Sequence, residues 1–308
     1  MMQALSSAVA GLDGEQTAMN VIGNNIANLN TTGFKASSVD FVTLLSQVLS
    51  TGSAPVLVAG KPALGGTNPM TVGLGVGVGS IAQDMSQGSL QQTGNPLDLA
   101  IQGNGFFVLS GAQGTVYSRD GGLEVDANGD LVQASTGSLV EGYQTGITVT
   151  SGVASGTYTP PTFPVTTTAN LAPIEIPPQA TLSGGTTGNL SSLAIGADGT
   201  ITATYQDNTG NSQQMDLGQI AIATVPNENG MVPVAGNAFA IGPNAGAVSF
   251  TGAGTNGGGS LAVGSLEQSN VDISKELTNM IVAERSYQAD ADVITTANNM
   301  MQSLIQVQ

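Results

Sequence analysis

The chain has 308 residues, enough for two or three domains. It lacks cysteine, histidine and tryptophan, which excludes thiol nucleophiles, disulfides, zinc sites built from cysteine or histidine, and a histidine general base. Five basic residues face 21 acidic ones, giving a net charge of −16, so nucleic acids and anionic membranes are unfavourable partners. Only 8% of the residues are charged, and the many glycine and β-branched residues favour an extracellular, β-rich protein.

Apolar residues at a seven-residue spacing predict a first helix from about residue 3 to about residue 29. Glu15 interrupts this stripe, and several glycine and asparagine residues weaken the second half, so the helix is expected to be marginal alone in water. Gly33 follows the predicted end and can adopt the left-handed conformation found beyond helix ends. The stripe consists of Leu5, Leu12, Met19 and Ile26, with Ala8, Ile22 and Leu29 between them.

Residues 34–80 are predicted to form an extended arm or an irregular hairpin. The stretch from residue 34 to about 49 is amphipathic or extended, and residues 51–80 are rich in glycine, proline, alanine and valine. Glycines alternate from Gly73 to Gly79, but the G-x-G-x-x-G spacing and the strand–turn–helix context of a dinucleotide site are absent.

Alternating apolar residues between frequent turn signals predict a β-rich core over residues 81–144 and 190–265. Residues 145–189 differ because they are rich in threonine, serine, glycine and proline and contain no basic residue. They form either a small, weakly cored β insert or a long connection.

A second seven-residue stripe predicts a C-terminal helix. Ser269 and Asp272 fit a loose capping box before it, and Glu284 and Asn298 interrupt the stripe, as polar residues that set register often do. The stripe consists of Ile273, Met280, Tyr287, Ile294 and Met301, with Leu277, Ala291 and Ile305 between them.

These elements predict an α+β fold. Its N- and C-terminal helices are paired as a coiled-coil layer, and its discontinuous, mostly-β middle domain carries a small β or irregular insert. The predicted division is a terminal helical assembly domain (1–33 and 266–308), an extended arm or linker (34–80), a β-rich core domain (81–144 and 190–265) and a small outer insert (145–189).

Few side chains stand out as candidates for chemistry. Residues 126–130 (DANGD) resemble the start of a calcium loop but fail the EF-hand spacing, so a solvated β-turn is the preferred interpretation. Arg119 and Arg285 are the two arginines, and in so acidic a chain each is expected to form an ion pair. Tyr287 is interpreted as a helix-packing aromatic.

The N-terminus lacks the positively charged region of a cleavable signal peptide. No stretch approaches the ~18 consecutive apolar residues of a transmembrane helix. Secretion would therefore need a route that leaves the N-terminus uncleaved.

Three motifs resemble the flagellar rod and hook proteins of bacteria. Residues 20–35 (NVIGNNIANLNTTGFK) resemble the N-terminal signature of these proteins, and residues 95–107 (NPLDLAIQGNGFF) resemble their first core β segment. Residues 269–281 (SNVDISKELTNMI) resemble their C-terminal helix, and residues 218–221 (GQIA) extend the likeness. The motifs occur in the right order at the expected ends, so the chain is identified as a member of this family over most of its length outside 145–189.

Within the family the chain is most similar to the hook protein. Residues 274–277 (SKEL) and 287–289 (YQA) look like hook versions of the last helix, and residues 140–143 (VEGY) resemble the entry to the hook's outer insert. Hook proteins usually carry a large outer domain, however, whereas the insert here spans only 145–189. The opening pair of methionines also looks like the distal rod protein. The resemblance therefore implies a hook subunit, with the distal rod protein of the basal body, a straight drive shaft, as the alternative.

The resemblance implies a structural subunit, exported unfolded through the flagellar type III export apparatus without a cleaved signal peptide. Outside the cell it would polymerise into the hook, a curved tubular universal joint that transmits motor torque to the filament. The implied partners are further copies of the chain, the distal rod protein, the hook cap protein and the hook–filament junction protein, with no nucleic acid and no membrane insertion. The terminal helices are expected to fold on assembly and line the tube. The residues expected to carry self-assembly are Leu5, Leu12, Met19, Ile22, Ile26, Ile273, Leu277, Met280, Tyr287, Ile294 and Met301.

Two other classes of protein explain less of the sequence. A secreted glycosidase would need two placed carboxylates in a cleft, and no motif singles out a pair. The aromatic content of 4% also argues against a sugar-stacking cleft. An adhesin with a coiled-coil stalk would explain the terminal helices but not the three motifs. We therefore expect no catalytic residue, no cofactor and no metal site.

Overall fold

The computed structural model describes residues 2–58, 61–111, 114–150, 152–160, 171–182, 185–255 and 257–306. A long helix lies at each end of the chain, and the described residues between them are mostly β, so the predicted α+β class is confirmed. The chain divides into two compact units. The terminal-helix unit comprises Met1–Ala27, Ala36–Asp84 and Val271–Gln308, and the β-rich unit comprises Asn28–Lys35 and Met85–Asn270.

The terminal-helix unit contains helices α1 (Met2–Ala27) and α2 (Ile273–Gln306). Ala4, near the start of α1, lines a cavity with residues near the end of α2, including Met300. Ile22, near the end of α1, lines another cavity with residues from the first turns of α2. The two helices therefore pack antiparallel. Neither described helix combines the length and the apolar run needed to cross a membrane.

The start of α2 differs from the predicted capping box. The Oδ1 atom of Asp272 accepts hydrogen bonds from the backbone N–H groups of Ser274 at 2.9 Å and Lys275 at 3.3 Å. The backbone carbonyl of Asp272 accepts the first helical hydrogen bond. Asp272 is therefore the N-cap itself, and the prediction that Ser269 caps the helix is wrong, because the helix begins three residues later than that pattern requires.

The segment that follows α1 forms a nested antiparallel hairpin, here called the arm. Its outer ladder pairs β1 with β6, and a register shift at residues 40 and 41 marks a bulge. The inner ladders pair β2 with β5 and β3 with β4. Of the two predicted possibilities, the described residues thus adopt a hairpin. The strands are β1 (Ser37–Thr43), β2 (Ser46–Ser50), β3 (Val56–Val58), β4 (Lys61–Leu64), β5 (Met70–Gly73) and β6 (Val76–Gln83).

The first part of the β-rich unit runs from residue 85 to the end of the predicted insert. Two short strands at its start pair with strands from the end of the unit, and the others belong to the main sheet. The strands are β7 (Leu90–Gln92), β8 (Leu99–Gln102), β9 (Phe106–Gly111), β10 (Gly114–Ser118), β11 (Leu123–Val125), β12 (Leu131–Gln133), β13 (Leu139–Tyr143), β14 (Ile147–Thr150), β15 (Val153–Gly156), β16 (Ala172–Pro173) and β17 (Gln179–Thr181).

The second part of the unit completes the main sheet, whose path runs β14-β15-β17-β18-β19-β20-β13-β9-β10-β22-β21. Its pairings are antiparallel except for β15 with β17. Strands β24 and β25 pair with β8 and β7. The strands are β18 (Thr187–Ile195), β19 (Thr200–Gln206), β20 (Ser212–Thr224), β21 (Val232–Val234), β22 (Ala238–Ala240), β23 (Ser249–Gly252), β24 (Ser260–Val263) and β25 (Ser265–Glu267).

The core lies on both faces of β9, which explains its unbroken apolar run. Phe107 and Leu109 belong to the larger core cluster, whereas Phe106 and Val108 belong to a second cluster. Successive side chains of a strand point to opposite faces, so a strand covered on both sides needs apolar residues at every position.

The described part of residues 145–189 is β structure that joins the main sheet. Ile174 and Ile176 are buried and belong to the same core cluster as Leu109. This part of the chain thus shares the core of the β-rich unit, while its place in an assembled tube stays a prediction.

Candidate assembly surface

The two terminal helices meet over small side chains. Gly11 lies so close to the Asp290 carboxylate that a Cβ at position 11 would collide with it. Small residues at a helix contact allow the two backbones to approach closely. The stripe residues Ala8 and Ile22 are buried together with these small residues, and the pairing of the helices as a coiled coil stays a prediction. The buried small residues are Ala8, Gly11 and Ala18 on α1, and Ala283 and Ala297 on α2. Gly14 is also buried, but it lies against Phe41 of the arm.

The large apolar residues of the predicted stripes are placed differently on the two helices. On α1 most are half-buried, whereas on α2 several face the surface. Their role in self-assembly stays a prediction. Ile22 is buried; Leu5, Leu12, Met19, Ile26, Met280 and Ile294 are half-buried; Ile273, Leu277, Tyr287 and Met301 are exposed.

Further apolar side chains are exposed on the same unit. On α2, Val282 is 59% exposed and Ile305 is 71% exposed. On the arm, Leu45 is 86% exposed, and Leu49 and Met70 are each 61% exposed. Exposed apolar residues mark a surface that binds other protein molecules where they lie together in a patch.

Asn25 ties the end of α1 to the arm. Its Nδ2 atom donates to the carbonyl of Ser37 at 2.8 Å, and the backbone N–H of Ser37 donates to its Oδ1 atom at 2.9 Å. The side chain thus pairs with β1 as another backbone would. This contact explains a weak helix former near the end of a helix.

Lys35, Arg119 and Glu267 form a buried charged cluster in the β-rich unit, here called the clasp. The Lys35 Nζ atom lies 2.7 Å from the Glu267 Oε1 atom, and the Arg119 Nη1 atom lies 3.5 Å from the Oε2 atom. Burial lowers the pKa of Lys35 and of Arg119, and the Glu267 charge opposes this effect. The Arg119 guanidinium also lies 5.1 Å from the centre of the Phe106 ring. The predicted ion pair of Arg119 is thus formed within one chain.

The residues just before Lys35 are held in the same unit. The Thr32 hydroxyl donates to the Asp120 Oδ1 atom at 2.9 Å, and the Gly33 N–H donates to the Glu267 carbonyl at 2.8 Å. Gly33 has a φ of 67°, and a Cβ there would lie 2.6 Å from the Asp120 backbone nitrogen. Glycine is therefore needed at position 33 for two reasons. It adopts the predicted left-handed conformation, and the absence of a Cβ lets its backbone lie close to that of Asp120.

Glu15, predicted as a flaw in the N-terminal stripe, lies near an acidic residue of α2. Burial, and then the charge of Asp290, raise the pKa of Glu15 above its ordinary value of 4.5. The repulsion weakens the helix contact at neutral pH.

The remaining candidate residues form local contacts. The Asp126 Oδ1 atom accepts backbone hydrogen bonds from Asn128 and Asp130, as in a closed turn between β11 and β12. These bonds, chiefly the one from Asp130, lower the pKa of Asp126. Arg285 donates to Gln288 at 3.0 Å rather than to an acidic residue among the described contacts. Within the described ranges no group of three or more acidic side chains is arranged to hold a metal ion.

The clasp was not predicted from the sequence. A usable signal was present, because two of the five basic residues of this acidic chain, Lys35 and Arg119, belong to it. Lys35 ends the N-terminal motif, and Glu267 stands just before the C-terminal one, so both flank regions that were already singled out.

Comparison with protein families gives three matches in chain order. Residues 5–35 match the family described as flagella basal body rod protein. Residues 100–203 match the flagellar hook protein FlgE/F/G D1 domain, and residues 262–307 match the C-terminal family of the flagellar basal body rod FlgEFG proteins. The class is thus that of the structural proteins of the flagellar rod and hook.

Curated relatives agree over the whole length. The flagellar basal-body rod protein FlgG of Bacillus subtilis is 37% identical over 306 residues, 99% of this chain and 98% of that protein. FlgG of Agrobacterium fabrum is 34% identical over 302 residues, 97% of each chain. The flagellar hook protein FlgE of Borreliella burgdorferi is 27% identical over 445 aligned residues, 100% of each chain. The chain belongs to the flagellar rod and hook protein family. It is a flagellar component, and membership implies polymerisation with copies of itself.

Proposed function

We propose that the chain is a structural, non-catalytic subunit of the distal rod, the straight drive shaft of the flagellar basal body. The observation that carries this choice is length. Both FlgG proteins align with this chain in about its own length, over 306 and 302 residues. Alignment with the Borreliella hook protein needs 445 positions for a chain of 308 residues. That hook protein therefore has many residues without a counterpart here, and the distal-rod alternative is favoured over the hook interpretation.

In this proposal the terminal-helix unit supplies the contacts between copies. The exposed apolar residues of α2 and of the arm lose water when copies associate, and this burial drives polymerisation. The helices pack into a coiled-coil layer that is completed by neighbouring copies. The principal partner is therefore a second copy of the chain, delivered by the flagellar type III export apparatus. The hook cap and junction proteins would be partners only in the hook interpretation.

The test is electron microscopy of the purified chain under polymerising conditions. Straight rods support the proposal, and tubes with the curvature of a hook overturn it in favour of the hook. Monodisperse particles under all conditions overturn both.

Two substitutions test the role of the helices. Leu12→Asp and Ile294→Asp place a charge among half-buried stripe positions and are expected to abolish polymers. The β-rich unit should stay folded, because neither residue belongs to it. Asn20→Asp and Asn299→Asp add the same charge at exposed helix positions and serve as matched controls that should polymerise. Polymers of normal length from both stripe variants would contradict the proposed assembly surface.

A further inference from the structure

Glu267 stands where the chain passes between its two units. The β-rich unit consists of Asn28–Lys35 and Met85–Asn270, so the chain enters or leaves this unit beside residues 28, 35, 85 and 270. Glu267 itself lies three residues before the last of these points. Contacts of Glu267 can therefore influence the chain segments that lead to the terminal helices and the arm.

The backbone and side chain of Glu267 bind two other connections. Its Oε1 atom accepts hydrogen bonds from Lys35 Nζ at 2.7 Å and from the backbone N–H of Gly88 at 2.9 Å. Its carbonyl accepts the Gly33 N–H at 2.8 Å. One buried residue thus holds the segment 28–35, the segment that begins at residue 85 and the segment that leads to α2.

Ser86 reinforces the same junction. Its carbonyl accepts hydrogen bonds from Lys35 Nζ at 2.8 Å and from Asn270 Nδ2 at 3.2 Å. Lys35 and Asn270 are the last residues before two of the exits from the β-rich unit. Three sequence-distant segments are therefore bonded to one another within a few residues of where they leave the unit.

We propose that Glu267 is a positioning residue for assembly, which holds the connections to the terminal helices and the arm at one buried carboxylate. Chain segments with fixed ends have fewer conformations to lose when they order, so a subunit with a formed junction joins a polymer at a smaller entropic cost. The junction lies wholly within the β-rich unit and needs no neighbouring copy to form. This role rests on the proposed function, because it concerns the ordering of segments on assembly.

Removal of the Glu267 carboxylate charge is expected to destabilise the junction strongly. Glu267→Gln removes the ion-pair partner of the buried Lys35 and Arg119 cations and leaves them the charge of Glu228 alone. Removing one partner in this way is the costly way to break a buried ion pair. Lys35→Met is milder, because Arg119 and Glu267 then remain as a neutral pair. Lys35→Met should loosen the end of the segment 28–35, which keeps the hydrogen bonds of Thr32 and Gly33, and should leave the Gly88 hydrogen bond to Glu267 in place.

Hydrogen exchange of the full-length monomer, read by mass spectrometry, tests the junction. In Glu267→Gln we expect the amides of Gly33 and Gly88 to exchange at least about tenfold faster, while those of β9 change little. In Lys35→Met only the Gly33 amide should accelerate. Ile201→Val, a core change in the same unit that touches no connection, is the control for general destabilisation. If Glu267→Gln accelerates β9 as much as Gly33 and Gly88, or accelerates neither glycine, the junction is not held by this residue.

Polymerisation of the same samples, followed by light scattering, tests the positioning role. Glu267→Gln should lengthen the lag before polymerisation more than Ile201→Val does, when each variant is measured at the same interval below its own melting temperature. An equal lag in the two variants would overturn the positioning role even where the exchange pattern is as expected. Absence of polymers from the unmodified chain would instead refute the proposed function, while the exchange experiment would still report on the junction.

Discussion

Gly33→Ala is expected to detach the signature segment from the β-rich unit. Gly33 has a φ of 67°, which disfavours any residue with a Cβ. The added Cβ would lie 2.6 Å from the Asp120 backbone nitrogen and 2.8 Å from the Arg119 carbonyl carbon. Both neighbours are backbone atoms, so no side-chain rotation relieves the collision. The segment 28–35 must therefore move away.

The magnitude follows from the contacts that are lost. Left-handed backbone costs a non-glycine residue about 1 kcal/mol. Movement of the segment also breaks the Gly33 hydrogen bond to the Glu267 carbonyl, the Thr32 hydrogen bond to Asp120 and the Asn237 hydrogen bond to the Thr32 carbonyl. Each is worth about 1 kcal/mol, so the expected loss in the free energy of unfolding is about 4 kcal/mol. Gly137 is the matched control, because its φ is 69° and nothing lies within 4 Å of its Cβ position.

Urea unfolding followed by tyrosine fluorescence measures this difference. Four of the five tyrosines lie in the β-rich unit, so the signal reports mainly on that unit; they are Tyr117, Tyr143, Tyr158 and Tyr205. Gly137→Ala should lower the free energy of unfolding by only about 1 kcal/mol, because alanine there adopts the left-handed backbone but collides with nothing. Equal losses for the two variants would show that the close approach at Gly33 contributes nothing, and the account of the docked segment would fail.

Three further changes test other contacts. Asp272→Ala removes the N-cap of α2 and should destabilise that helix by about 1 kcal/mol, seen as a lower melting temperature in circular dichroism; an unchanged melt would contradict the assigned cap. Because the pKa of Glu15 is raised above 4.5, the folded helices bind a proton more readily than the unfolded chain, so helix stability should rise as pH falls from neutral towards that value. Glu15→Gln should remove this pH-dependent gain, and an unchanged pH profile would refute the assignment to Glu15. Phe107→Ala empties a fully buried position and should cost about 3–5 kcal/mol in urea unfolding, whereas a loss below 1 kcal/mol would place the residue outside the core.

Local patterns carried enough information to place the two helices and to predict a mostly-β middle. The seven-residue stripe predicted a first helix from about residue 3 to about residue 29, and the observed helix is Met2–Ala27. The cap of the second helix was misplaced by three residues because Ser269 and Asp272 are both good cap residues. Only the backbone hydrogen bonds decide between them.

The clasp could not be predicted from local patterns because its members are far apart in the chain. Lys35 and Glu267 are separated by 232 positions. Nothing in the spacing of either neighbourhood specifies the other, and a single sequence shows no paired variation. The scarcity of basic residues was the available hint, since an acidic chain that buries a cation needs a specific reason for doing so.

The residues buried on the two helices coincide only in part with the predicted stripes, and this bears on assembly. Periodicity detects large apolar residues, whereas the residues buried where the helices pack include small ones such as Gly11 and Ala283, which carry little hydrophobic signal. A helix pair that closed only on itself would bury its large side chains first, because they gain most from leaving water. Here Leu277 and Tyr287 remain exposed. This distribution agrees with the proposed assembly, because the large residues left exposed on α2 remain available to neighbouring copies, and their part in self-assembly stays a prediction.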